Sequence, residues 1–444
     1  MQAAPAVLGL PDPAARASAR PRAHPALWVP SLYFAMGTPM TAVTVMSAVM
    51  YKNLGLSNAE IALYTGSMYL PWVIKPLWSP VVEMFGTKRR FVLATELIMM
   101  VTFGCLVLAL ALPSWLTWTV VFFWITGFAS ATQDIAADGV YISAATHREQ
   151  AAYVGVQGVF WNLGRIIATG LLVSLTGVLH GRMRFDWLHA WMLVVGALAA
   201  AMGLSWAWHL RVLPSGGAAA DAPRSLGDAV RTFKATVTTF FAKKMIWRMI
   251  AVAYFYRFGE GLIEKIGPLF LLDRRAVGGL ELDNIQLGTL NGTYGTVAFI
   301  VGALLGGLFS ARKGLRGSFV ILLLALNVPH LTYLYLSQAR PVSLVVVAAA
   351  VTIEKFGYGF GSVGHMLYMM QQMAPGPYKT AHYAFATGVM GLCMMSTGMV
   401  SGVLQQAVGY QTFFVIVLVA SVLPLLVAWN APFPVAEAET EVAA

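Results

Sequence analysis

The chain predicts an all-α membrane protein with twelve transmembrane helices in two parallel six-helix repeats, and three observations carry that prediction. Its 444 residues are 58% apolar and only 11% charged, with a mean hydropathy of +0.70, which excludes an ordinary soluble enzyme. The apolar residues fall in runs long enough for helices of about 20 residues, without the ten-residue alternation of a membrane barrel. The landmarks of the first half recur in the second.

Apolar windows place the spans at 27–50, 60–83, 91–112, 116–145, 151–178, 188–210, 246–272, 285–310, 316–336, 342–373, 380–405 and 409–430. Residues 1–26, with Arg16, Arg20 and Arg22 among Pro and Ala, lack the apolar core of a signal peptide and read as a disordered cytoplasmic tail. The first bundle then occupies 27–210, a linker 211–245, the second bundle 246–431, and a second cytoplasmic tail 432–444. Within the linker, Pro214 to Ala220 is a breaker stretch and Ser225 to Phe241 a basic amphipathic helix. Lys88, Arg89, Arg90, Arg148, Lys243, Lys244, Arg312, Lys313, Arg316 and Lys379 fall on one side. Lys52, Arg182, Arg184, Arg274, Arg275 and Arg340 fall on the other, which orients both termini to the cytoplasm. Topology therefore accounts for the net charge of +10 without a nucleic-acid partner.

The repeat is read from spacing. Tyr33-Phe34…Gly37 opens the first half as Tyr254-Phe255…Gly259 opens the second, and each is followed by a polar turn, at Gly55 to Asn58 and at Gly279 to Asn284. Ile61 stands as far from Lys88 as Ile285 from Arg312, and Tyr153 to Gly158 matches Tyr383 to Gly388. Parallel repeats of this kind place a site near mid-membrane between the two bundles.

Charge inside the spans marks the candidate residues. One such side chain at a helix centre costs roughly 2.5–3.5 kcal/mol if it meets lipid. Asp134 and Asp138, preceded by Gln133, share one face of the fourth span. Two neighbouring carboxylates raise each other's proton affinity, so one can load and release a proton; alternatively they form a structural ion pair with Lys75 or Arg165. Arg257, Glu260 and Glu264 form a stripe on the seventh span, with Tyr254 and Gly261 beside it, that is expected to line a cavity. Lys265 lies about 100° away and reads as scaffold. The tenth span carries Glu354-Lys355, then Gly357, Gly359, Gly361 and Gly364, whose spacing favours close packing over a nucleotide loop, and His365 on the face of Glu354. Pro71, Pro76 and Pro80 bracket Lys75 in a kinked, gate-like helix. Among the aromatic residues, Trp161 and Tyr256 are assigned to the ligand. Cys105 and Cys393 lie in apolar runs and supply no disulfide framework or metal site. No zinc-protease, serine-hydrolase, dithiol or P-loop pattern occurs. A membrane-embedded transferase using the two aspartates is the alternative from another class.

At these same residues the chain resembles the AmpG-type, peptide/acetyl-CoA/muropeptide, branch of the major facilitator superfamily. The resemblance is carried by Lys75-Pro76-Leu77-Trp78-Ser79-Pro80, by Ala131-Thr132-Gln133-Asp134-Ile135-Ala136-Ala137-Asp138, by Tyr256-Arg257-Phe258-Gly259-Glu260, by Ile300 to Gly307, and by Glu354…Gly359-Phe360-Gly361. It implies a major facilitator fold and proton-driven import of a muropeptide or amino sugar across a bacterial inner membrane; a siderophore importer of the same superfamily is the alternative cargo class. In that picture Asp134 and Asp138 couple the proton, and Arg257, Glu260, Glu264, Glu354, Gln133, Tyr256 and Trp161 meet the solute. Lys75, Arg165, Lys355, Glu83, Lys88 and Arg89 form gates and ion pairs. Ser79 and Glu83 replace the Gly and Asp that usually begin the basic loop after the second helix. The implied partners are a small polar organic solute, a proton and lipid, with no cofactor or metal, and the expected state is a monomer.

Overall fold

A computed structural model describes residues 23–79, 82, 87–216, 225–376 and 378–434. Every regular element among them is helical, as a bilayer core demands of a chain whose backbone must satisfy its own hydrogen bonds. The first half contains α1 (Pro25–Asn53), α2 (Asn58–Ser67), α3 (Leu70–Ile74), α4 (Lys88–Leu110), α5 (Trp115–Ala144), α6 (His147–Ile166), α7 (Val173–Gly181) and α8 (Trp187–Val212). A connecting helix, α9 (Leu226–Phe241), leads to α10 (Ile246–Phe255), α11 (Phe258–Leu272), α12 (Asn284–Leu287), α13 (Gly295–Asn327), α14 (Leu331–Ala339), α15 (Leu344–Tyr368), α16 (Lys379–Ala420) and α17 (Val422–Trp429).

Among the described residues, eight helical stretches are long and apolar enough to cross a membrane. Two of them, Asn284–Ala339 and Lys379–Trp429, contain a glycine with non-helical geometry, Gly314 at φ 70° and Gly409 at φ 74°. A side chain is strained at such a φ, so glycine permits the break.

The expected spans 60–83 and 246–272 are not continuous helices. The first is α2, α3 and a tight 3₁₀ turn, Lys75–Leu77, because Pro71 and Pro76 withdraw backbone donors. The second breaks between α10 and α11, where Arg257 leaves helical geometry at φ −110° and ψ 22°. Each break carries a cation, Lys75 in one and Arg257 in the other.

The matched polar turns serve as helix starts. Ser57 and Glu60 form a reciprocal capping box on α2, as Asp283 and Gln286 do on α12. Near these turns the two halves meet in a polar clasp, on the side that the charge pattern assigns to the exterior. Lys52 Nζ lies 2.6 Å from Asp273 Oδ1, while Asn58 Nδ2 is 3.0 Å from Asp273 Oδ2 and 2.8 Å from both Gln405 Oε1 and Tyr410 Oη. Tyr410 also donates to Asp273. Beside this, Asn284 Nδ2 donates to Asn53 Oδ1 and to Thr176 Oγ1, each at 2.7 Å. Backbones approach closely where α6–α7 meets α12–α13: a Cβ on Gly288 would lie 2.6 Å from the Gly170 carbonyl oxygen, and one on Gly292 would overlap the Thr169 carbonyl.

Candidate functional site

A cavity lies between the halves and is lined from both. Val45, Arg165 and Thr169 come from the first half; Glu260, Glu264, Pro268, Asn291, Gly295, Thr296, Phe299, Lys355 and Tyr358 come from the second. Helices around it therefore place two cations and two carboxylates on facing walls, an arrangement that would be costly against lipid.

Arg165 lies over the rings of Trp161 and Phe299, 5.6 and 5.4 Å from their centroids. This positions its charge on the first-half wall by cation–π attraction. Arg257, expected to line the cavity with Glu260 and Glu264, is not among its lining residues: it donates to the hydroxyl of Tyr358, which does line it, and its guanidinium lies 4.8 Å from that ring's centroid. Glu264 Oε1 accepts from the Tyr69 hydroxyl at 2.8 Å, a bond that crosses between halves. Lys355 Nζ lies 2.9 Å from Glu354 Oε2 and 4.0 Å from Glu260 Oε1. The sequence-read stripe Arg257, Glu260 and Glu264 thus gathers Lys355, Glu354 and Arg165 around it.

Asp134 and Asp138 occupy a second place. Asp134 pairs with Lys75, so of the two cations considered for it the nearer in sequence is the partner. Asp138 Oδ1 accepts from the Tyr33 hydroxyl at 2.8 Å. Trp78 Nε1 donates to Thr132 Oγ1 at 3.2 Å and ties the broken helix to α5 next to this pair.

Gln133 and Tyr256 lie away from the cavity. Gln133 is fully buried and donates to Glu96 Oε1 at 3.0 Å, while Tyr256 donates to the Gly361 carbonyl at 2.9 Å and stacks on His365 at 4.7 Å. His365 donates through Nε2 to the Ala253 carbonyl at 3.0 Å and does not meet Glu354. Lys265 donates to the Thr44 carbonyl across the halves. Lys88 Nζ donates to the Val82 carbonyl at 3.1 Å, and the backbone amides of Lys88 and Arg89 bond to the Gly216 and Ser215 carbonyls at 3.1 and 3.2 Å. These two basic residues therefore fasten the start of α4 to the segment that follows α8. Glu83 lies outside the described residues.

Sequence reasoning passed over Glu96, His209 and His330. Glu96 Oε1 meets His209 Nδ1 at 2.7 Å, and both side chains are fully buried. His330 Nε2 faces Glu260 Oε2 at 3.6 Å. The signal was present, because each is an ionisable residue in or at the end of an apolar run, the same anomaly that singled out Asp134.

A multi-crossing helical protein with a charged cavity between its halves has the architecture that secondary transporters share. The model of the Major Facilitator Superfamily matches residues 31–402. The "Anhydromuropeptide permease" of Escherichia coli (strain K12) is 25% identical over 398 residues, covering 88% of this chain and 76% of the relative. "Putative transporter AmpG 4" of Rickettsia conorii (strain ATCC VR-613 / Malish 7) is 21% identical over 411 residues, covering 88% and 92%. Among solved structures, the nucleoside transporter NupG superposes with a TM-score of 0.65 at 16% identity, covering 91% of this chain and 97% of that one. The D-xylose-proton symporter superposes with a TM-score of 0.66 at 13% identity, covering 91% and 95%. The chain belongs to the Major Facilitator Superfamily and is of the AmpG type within it. It moves small solutes across a membrane, and the transferase alternative is set aside because these relatives and neighbours are transporters.

Proposed function

We propose that this chain imports an anhydromuropeptide, a saccharide bearing a peptide, or a related amino sugar across a bacterial inner membrane by proton-coupled alternating access. The observation that carries the reading is the two-walled cavity, in which Arg165 faces Glu260, Glu264 and Lys355. Facing cations and carboxylates suit a solute with both carboxylate and amine groups, and a long relative is named for such cargo. Units 27–210 and 246–431 rock about that cavity, with both termini cytoplasmic. The clasp around Asp273 and Asn58 holds the outer side shut, so the solute reaches the cavity in this state from the inner side.

Asp134 and Asp138 couple the proton in this scheme. Protonating Asp134 removes the charge that holds Lys75, freeing the broken second helix and biasing one facing state over the other. Reconstituted vesicles supply the test: labelled anhydro-disaccharide peptide should accumulate when the exterior is acidic relative to the lumen. Asp134→Asn and Asp138→Asn should abolish that accumulation in protein that still folds. Full gradient-driven accumulation by both variants would sink the proton assignment, and failure of the wild type to take up any such saccharide would sink the cargo.

A further inference from the structure

We propose that Glu260, Glu354 and His330 form a second proton-binding site, in the second half of the molecule, that exchanges its proton through the cavity wall. One ligand atom from each of the three lies within 4.8 Å of the others, and all three residues are about 1% exposed. They come from α11, from the 3₁₀ turn Val328–His330 and from α15, so only the tertiary fold assembles them.

Hydrogen-bond accounting shows what the cluster lacks. Both carboxylate oxygens of Glu260, Glu354 Oε1 and His330 Nε2 are buried without a hydrogen-bond donor, and Glu354 Oε2 is met by Lys355 alone. Their compensation is the Lys355 ion pair, at 2.9 Å from Glu354 and 4.0 Å from Glu260. The imidazole tautomer follows from its other side. Ser421 Oγ donates its one proton to the Val417 carbonyl at 2.8 Å, so it accepts from His330 Nδ1 at 3.1 Å. In a neutral ring Nε2 is then a lone pair, directed at Glu260 Oε2 3.6 Å away. Two acceptors facing each other in a dry interior call for a positive charge between or beside them.

The charge balance decides which cation. Two carboxylates and one ammonium leave a single negative charge. The other groups facing the cluster are Arg257 and Glu264, which offset each other, the hydroxyls of Tyr333 and Tyr358, and Arg165 on the opposite wall. One proton makes Glu260, Glu354, His330 and Lys355 together neutral and leaves Arg165, across the cavity, as the one unbalanced cation. A divalent metal would leave a positive charge in the interior, where each uncompensated ion costs several kcal/mol. A hydronium ion entering the cavity gives its proton to Glu260, which lines the wall together with Lys355: one O–H bond of the hydronium breaks, neutral water stays in the cavity, and one new O–H or Nε2–H bond forms in the cluster. Uptake of that proton releases Lys355 from part of its load; the use of this in transport rests on the proton-coupled reading above, whereas the site itself does not.

Infrared difference spectroscopy of the full chain in lipid nanodiscs, between acidic and alkaline buffer, tests the site without substrate or gradient. In an Asp134→Asn/Asp138→Asn background, a protonated-carboxyl band should remain, should move when the protein is made with ¹³C-glutamate, and should be lost in Glu354→Gln or Glu260→Gln. His330→Gln should shift the pH at which the band titrates. The labelling arm uses no variant of the cluster, so it stands even if a cluster substitution prevents folding. No ¹³C-glutamate-sensitive band at any pH, a band indifferent to both Gln substitutions, or one zinc or manganese ion retained per chain and released by His330→Gln would each overturn the proposal. Loss of uptake with the band intact would count against the transport scheme alone.

Discussion

Lys75 and Asp134 keep 22% and 24% of their side-chain exposure, whereas Glu260, Glu354 and His330 keep 1% or less. Both places hold charge at membrane depth, but the first remains in touch with water and the second is sealed by protein except through Glu260 and Lys355. An ion pair near water loses little when one partner goes, because solvent replaces the partner. A sealed pair loses much, because the survivor stays charged and dry. The same residue types therefore carry different energies in the two halves.

The largest expected effect breaks this contrast if it fails. Lys355→Met should destabilise the protein by about 3–5 kcal/mol, read from thermal unfolding in detergent, and adding Glu354→Gln should recover most of the loss. Lys75→Met should cost only about 1 kcal/mol; equal losses in the two variants would show that burial does not govern the difference.

Glu96 sharpens the comparison, because it is a sealed charge in the first half. Glu96→Ala removes the acceptor of both His209 and Gln133 and should cost about 2–3 kcal/mol in the same assay. A neutral result would tie the contrast to the half of the molecule and not to burial. The clasp gives a further, conformational comparison. Asp273→Asn loses the Lys52 pair and weakens two hydrogen bonds, so a cysteine placed by Asn284→Cys, with Cys105 and Cys393 replaced by Ser, should react with an impermeant maleimide roughly tenfold faster, as expected for about 1.4 kcal/mol. Unchanged labelling would mean that the glycine contacts at Gly288 and Gly292 hold the closure alone. The smallest effect belongs to the helix start: Ser57→Ala should cost about 1 kcal/mol and leave the maleimide rate within twofold, since the cap sits beside the clasp without joining it.

The broken spans show how far sequence reading reached. Pro71 and Pro76 announced the kink at Lys75, because a missing donor is written in the residue itself. Nothing of that sort marks Tyr256-Arg257, where the helix breaks and the guanidinium donates to Tyr358. The stripe Arg257, Glu260 and Glu264 was legible from helical spacing, and Lys355 and Glu354 from charge in an apolar run. Their meeting was not, since 94 residues separate Glu260 from Glu354 and periodicity orients a face without naming what packs against it. Tyr256 illustrates the same gap: it was assigned to the ligand as an aromatic residue, yet its hydroxyl donates to Gly361 and its ring stacks on His365.

By itself the sequence determined a helical, multi-crossing membrane protein of this superfamily, and the short list of charges that cannot face lipid. Those follow from composition and local period, because a bilayer leaves the backbone no other way to satisfy itself. Tertiary structure alone decided which charges are partners, which are sealed, and that His330 completes a cluster with Glu260 and Glu354. Partnership and burial depend on how distant helices stack, and no residue carries that information within its own span.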